Sequence, residues 1–153
     1  MRNAFVKEIT NIAKKNKKIV LLAGDIGYKL FDNFQKKYVN RFYNCGVAEA
    51  NMTTVAAGLA LKGFAPITYT IATFNVYKTV EQIKIDICYP NLGVIIVGVG
   101  SGLSYAGLGS THHAVEDIGI LRSIPNLSIV SPADSLELKP LLHEVIKRKK
   151  PTY

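Results

Sequence analysis

The chain has 153 residues, 48% of them hydrophobic, and a formal net charge of +8. That length suits about one domain with a core of its own, and no apolar run is long enough to span a membrane as a helix. The lysine excess gathers in KKNKK (14–18), KK (36–37) and KRKK (147–150) without interleaved aromatic residues, so it reads as solvated helix ends and turns, and neither nucleic acid nor membrane is expected as a partner.

Cys45 and Cys88 stand far apart in apolar surroundings with no Cys-x-x-Cys spacing. Buried thiols in a reducing, cytoplasmic setting are therefore expected rather than a bridge or metal site. Residues 2–16 place Phe5, Ile9, Ile12 and Ala13 at helical spacing opposite Lys7, Glu8, Lys14 and Lys15, an amphipathic helix and not a signal peptide. IVLLAG (19–24) is a continuous apolar run closed by Gly24 and Asp25, the pattern of a strand covered on both faces. Leu30 to Tyr38 reads as a short helix and RFYNCG (41–46) as a second strand. Glu49 then opens a helix that Gly63 closes; an acid in a first turn is favoured there by the free amides and the helix dipole alone.

FAPITYTIATF (64–74) gives a third strand ending near Ala72, and the pattern from Phe74 to Tyr89 is helical until Pro90. LGVIIVGVG (92–100) is a buried strand. The stretch from Gly100 to Thr111 is glycine-rich without hydrophobic period, a long loop of the kind that carries function. His113 to Ile124 returns to helix, NLSIVSP (126–132) reads as a strand, and Ala133 or Asp134 caps a last helix through Val145, Asp134 and Glu137 having capping-box spacing. Pro151-Thr152-Tyr153 begins like another edge segment. Strand and helix thus alternate as in a mostly parallel α/β sheet with helices on both faces, and ligands belong at the carboxyl ends of the strands. Those ends carry Asp25, Glu49, Phe74, the 100–111 loop, His112 and His113.

The glycines of GVGSGLSYAGLG (98–109) form neither a P-loop nor a dinucleotide fingerprint. His112 and His113 are adjacent, so on a regular element they diverge and do not chelate one metal; they read equally as helix capping or as hydrogen-bond donors to an oxygen-rich substrate. Phe74 and Tyr77 read first as core packing.

Four segments in order, GVAEANM (46–52), AAGLALKGFAPITYTIATF (56–74), STHHAVEDIGILRSIPN (110–126) and SIVSPAD (128–134), resemble the pyrimidine-binding domain of the transketolase family, which includes deoxyxylulose-phosphate synthase. The resemblance covers almost the whole chain and implies one domain over 1–153 that holds the aminopyrimidine end of thiamine diphosphate. It gives Glu49 the role of hydrogen-bonding ring nitrogen N1′ and so promoting loss of the C2 proton. Phe74 becomes the ring stacked on the pyrimidine, Tyr77 a nearby wall, and His112, with His113, the contact to substrate oxygens. Leu108 stands where the family usually has an aspartate for sugar hydroxyls, and Leu108 accepts no hydrogen bond.

The family's diphosphate- and Mg²⁺-binding residues do not occur in the chain. The resemblance therefore implies half a site, in a split subunit or a fragment of a longer chain, completed by a diphosphate-binding partner in a homo- or heterodimer. The expected activity is transfer of a two-carbon ketol unit between phosphorylated-sugar or ketose substrates. The alternatives are a decarboxylating synthase of the deoxyxylulose-phosphate type and a non-catalytic module that kept the fold.

Overall fold

The computed structural model describes residues 1–153. Its elements are α1 (Arg2–Lys15), β1 (Ile19–Ala23), α2 (Asp32–Lys37), β2 (Phe42–Asn44), α3 (Glu49–Leu61), β3 (Ala65–Ile71), α4 (Ala72–Val76), α5 (Val80–Gln82) running into a π-helix (Ile83–Cys88), β4 (Ile95–Val99), α6 (Asp117–Leu121) and α7 (Ser135–Arg148). The strands form one parallel sheet in the order β2-β1-β3-β4.

Alternation along each strand divides the core between two faces. Ile19, Leu21, Ala23, Ile67 and Tyr69 pack with Phe5, Ile9 and Ala13 of α1, Phe34 of α2 and Leu142 and Val145 of α7. Val20, Leu22 and Ile96 pack on the other side with Met52, Ala56 and Ala57 of α3, and with Ile83, Ile87, Cys88 and Leu121. Complete burial of each of the large aliphatic side chains contributes about 1.5–3 kcal/mol, and only small residues on α3 let it lie close to the sheet.

The strand order places a switch point at the centre. From β1 the chain moves outward through α2 to β2, then returns through α3, on the opposite face, to β3 on the other side of β1. The connections that leave the carboxyl ends of the paired strands β1 and β3 therefore run to opposite faces, toward α2 and α4, and the crevice between them is where ligands bind in open parallel sheets.

The parallel sheet with helices on both faces agrees with the sequence reading, whereas four local expectations are corrected. The helix expected over 74–89 is broken into α4, a turn at 77–79, α5 and a π-helix; the Thr79 hydroxyl donates to the Asn75 carbonyl at 2.6 Å and competes with the helical ladder there. The helix expected from His113 is confined to α6, because Ala114 instead exchanges backbone hydrogen bonds with Gly102, holding 113–114 extended. The strand expected over 126–132 pairs only through an isolated bridge, Ser128 with Thr152. Residues 151–153 lie between it and β4, the Thr152 N–H donating to the Val94 carbonyl at 3.0 Å and the Val130 N–H to the Tyr153 carbonyl at 2.8 Å. The segment read as an edge is thus interior to the layer.

Asp134 caps α7 by accepting from the Leu136 and Glu137 amides, while Glu137 accepts from the Ala133 amide at 2.8 Å. The expected capping-box spacing thus gives a variant in which the return bond reaches Ala133, one residue before the N-cap. Both cysteines are free, Cys88 buried and Cys45 partly so.

Candidate functional site

Three elements converge above the switch point. Gly24, directly after β1, donates its N–H to the Tyr69 carbonyl and accepts from the Thr70 hydroxyl, closing β1 onto β3. A β-carbon on Gly24 would lie 3.0 Å from both Thr70 Cβ and its hydroxyl oxygen, and in ordinary contact, 3.5 Å, with Glu49 Cγ, so the absence of a side chain is what lets Thr70 close on the end of β1 beneath the glutamate. Glu49 begins α3 and is 2% exposed, a carboxylate in a nearly dry position. Ala48, the residue before it, offers no side-chain cap to the first turn of α3, and an acid there is favoured by the free amides.

The site's second side is α4. β3 passes into it without a loop, and Asn75 fixes it against β4 by donating to the Val97 carbonyl at 2.9 Å. That anchor turns Phe74 to the crevice. The helix then breaks, and Lys78 in the turn reaches back: its Nζ lies 3.1 Å from Glu49 Oε2 and 5.0 Å from the centre of the Phe74 ring. Glu49 Oε1 has no hydrogen-bond partner.

The third side is the glycine-rich loop, which contains two short 3₁₀ turns (Ala106–Leu108 and Ser110–His112). His112 stands edge-on to Phe74, ring centres 5.2 Å apart, and near Tyr105 at 6.1 Å. Its Nδ1 is 2.9 Å from the Thr111 hydroxyl, which leaves Nε2 as its free ring nitrogen. Tyr105 in turn covers Gly100, whose φ of 75° and lack of a side chain permit that approach.

Glu49, Phe74 and His112 are therefore brought together in one chain of contacts, with Lys78 as the link between the first two. His113 is not joined to them; its Nε2 lies 3.4 Å from the Ala106 carbonyl within the loop. Tyr77 is 39% exposed and its hydroxyl donates to Glu116 Oε2. Partial burial, and then the Glu116 carboxylate, push that phenol above its ordinary range. The adjacent histidines thus part as expected, though on a 3₁₀ turn and an extended residue instead of a helix start.

Sequence reading passed over Lys78 and Tyr105. A signal existed for Lys78, a cation four residues after an aromatic ring, one helical turn away. For Tyr105 none did, since only the folded loop places it over Gly100. Leu108 is exposed at the loop surface.

The arrangement offers a buried carboxylate with one free oxygen, an aromatic face beside it and an imidazole at the rim. These suit a flat heterocycle with a basic ring nitrogen, stacked on Phe74 and hydrogen-bonded by Glu49.

Comparison with known proteins points the same way. A family model described as "Transketolase, pyrimidine binding domain" matches residues 1–153. The chain is 33% identical over 153 residues to a subunit of the apulose-4-phosphate transketolase of Phocaeicola vulgatus, covering 99% of this chain and 49% of that protein. It is 32% identical to the 6-deoxy-6-sulfo-D-fructose transketolase subunit SqwH of Clostridium sp., covering 100% of this chain and 48% of that one. With the 1-deoxy-D-xylulose-5-phosphate synthase of Natranaerobius thermophilus it shares 36% identity over 149 residues, 96% of this chain and 23% of the synthase. Among solved structures, a split-gene transketolase described as an inactive beta4 tetramer matches with a TM-score of 0.88 at 33% identity, covering 99% of this chain and 49% of that chain. A transketolase from Leishmania mexicana matches in fold with a TM-score of 0.84 at 20% identity, over 99% of this chain and 24% of that one. The chain spans about half the length of the transketolase subunits it resembles.

Proposed function

Because the chain belongs to the transketolase family, as its pyrimidine-binding domain, we propose that it supplies the aminopyrimidine half of a thiamine-diphosphate site in an enzyme that transfers a two-carbon ketol unit between sugar substrates. The observation that carries this reading is Glu49, 2% exposed above the switch point with Oε1 free. The fit of the group rests on the unpartnered Oε1 of the buried Glu49 and on the Phe74 face beside it. Thiamine diphosphate, when bound, supplies the nucleophilic carbon that accepts the two-carbon unit.

This chain's own residues would bind and orient. Glu49 Oε1 would hold the ring nitrogen and share a proton with it, in a place from which the strand ends and α4 exclude water. Phe74 would fix the plane of the ring, with Tyr77 further along the wall. His112, its Nδ1 engaged by Thr111, would turn Nε2 to the carbonyl and hydroxyl oxygens of the substrate, with His113 behind it in the loop.

The diphosphate and Mg²⁺ would be held by a partner domain or chain, in a homo- or heterodimer across the cofactor site in the cytoplasm. Support comes from the relatives named as subunits and from the half-length match. Their names also refer to sugars bearing a phosphate or sulfo group, which favours a phosphorylated or otherwise anionic sugar as substrate here. The 36% identity to a deoxyxylulose-phosphate synthase supports a second reading, decarboxylation of pyruvate, which product analysis with pyruvate against a ketose donor separates from ketol transfer.

The test is calorimetric titration of thiamine diphosphate with Mg²⁺ into this chain alone and into its mixture with a diphosphate-binding chain. Binding in the mixture alone is the expected result. Absence of binding in a complex that demonstrably forms would overturn the reading and leave a non-catalytic module.

A further inference from the structure

Lys78 makes both of the contacts that the site offers a heterocycle. Its ammonium donates to Glu49 Oε2 at 3.1 Å and lies 5.0 Å from the centre of the Phe74 ring. We infer that Lys78 is a stand-in for the aminopyrimidine, occupying the carboxylate and the aromatic face together, and that the cofactor binds by exchange with it. The inference rests on the thiamine-diphosphate reading and adds to it a residue that sets how readily the site loads.

Three observations favour exchange over a permanent structural pair. The partners differ in burial: the Glu49 side chain is 2% exposed and that of Lys78 49%, so the glutamate is fixed while the lysine has solvent to move into. Lys78 sits in the break between α4 and α5, outside either helix, where a change of side-chain rotamer disturbs no helical packing. Finally, no other side chain holds the ammonium, and no other side chain donates to either Glu49 oxygen. The buried carboxylate therefore has one cationic partner, and that partner is the half-exposed one. A buried charge without a partner is costly, so in the free protein the lysine stabilises Glu49. The ring nitrogen takes over that hydrogen bond, and the pyrimidine face replaces the cation on Phe74. Lys78 then turns outward to the half-exposed side from which its stem already rises.

The test uses the complex of this chain with a diphosphate-binding chain, titrated with thiamine diphosphate and Mg²⁺, with affinity read by calorimetry and association rate by stopped-flow circular dichroism. Lys78→Met, which keeps the stem but removes the charge, should bind roughly three- to tenfold tighter and load faster, on the scale of one partly exposed ion pair plus one cation–π contact. Lys78→Arg, which can restore both contacts, should stay within about threefold of the parent chain. Placed in a Glu49→Gln background, Lys78→Met should lose most of its effect, because the two residues are coupled through one interaction.

If Lys78→Met leaves affinity and rate unchanged, or weakens binding while the complex still assembles, the stand-in is overturned and Lys78 is instead a bystander or a ligand-holding group. A parent complex that binds no thiamine diphosphate fails differently, since it removes the proposed function itself.

Discussion

The two sides of the site are built differently. Glu49 stands on the first turn of a regular helix, over the crevice between the connections that leave β1 and β3, which strand order alone creates. Phe74, Lys78 and His112 stand on a five-residue helix, a turn and a 3₁₀ segment, held by single anchors such as Asn75 on the Val97 carbonyl. The carboxylate side is thus fixed by the sheet, while the aromatic and imidazole side is fixed by a few hydrogen bonds and ring contacts. Chemistry that needs one immobile group and several adjustable ones suits this division, and substitutions should sort along it.

The largest effect belongs to the rigid side. Glu49→Gln retains shape and the hydrogen bond to Thr53, which donates to the Glu49 backbone carbonyl and not to its side chain. Folding stability should therefore change little, whereas ketol transfer by the assembled enzyme should fall at least about a hundredfold, the loss expected for a key acid–base group. Assays of turnover beside a urea melt check both halves. An unchanged rate would show that the buried carboxylate is structural and that the division between the two sides is not catalytic.

A second effect asks whether the irregular side is as dry as the regular one. Cys88 ends the π-helix, and burial pushes its thiol from 9.0 up to about 11. The folded chain keeps that proton over a window in which the unfolded chain has lost it. The thiol's contribution is therefore full below pH 9 and is lost as pH rises through about 11, up to about 3 kcal/mol if the whole shift is realised. Tyr153 is raised too, by burial and by donating to Asp117, so the cysteine's share is the difference between the parent chain and Cys88→Ala in urea melts across that range. Equal slopes for the two would mean that water reaches the thiol through the broken helix.

The same division explains what could be read in the sequence. The runs IVLLAG and LGVIIVGVG mark strands covered on both faces, and the alternation of elements gives the parallel order, because both follow from which residues avoid water. Glu49, Phe74 and His112 were legible only through the resemblance; composition and spacing left the last two between packing and function. The break at 77–79 was not legible, since Tyr77 to Cys88 keeps a helical hydrophobic period and the break depends on the Thr79 hydroxyl taking the Asn75 carbonyl. Lys78 was lost with it. The expected strand at 126–132 failed for a related reason: hydrophobic pattern shows that Ile129 and Val130 are wanted inside, but not that residues 151–153 come between them and β4.

A smaller effect separates the adjacent histidines. His112 contacts Phe74 and Tyr105 and keeps Nε2 free, whereas His113 is turned back to the Ala106 carbonyl. His112→Asn should lower kcat/KM about tenfold, the scale of one strong hydrogen bond to substrate, and His113→Gln should stay within about threefold. The reverse order would mean that the loop presents its second histidine when substrate is bound.

The smallest effect is expected at Tyr77, and it tests where the adjustable side ends. The resemblance makes it a wall of the pyrimidine pocket, yet its hydroxyl is given to Glu116 and its side chain is 39% exposed. In that position the phenol ties the turn after α4 to the residue preceding α6. Tyr77→Phe keeps the ring and removes the tie. Stability should fall by less than about 1 kcal/mol, as for a partly exposed hydrogen bond, and cofactor affinity should not move by more than about twofold. A tenfold weaker affinity, measured by the same calorimetry, would show that the tie to Glu116 sets the position of the turn carrying Lys78. The adjustable side would then extend from Phe74 through α6, with the carboxylate of Glu49 as its one fixed point.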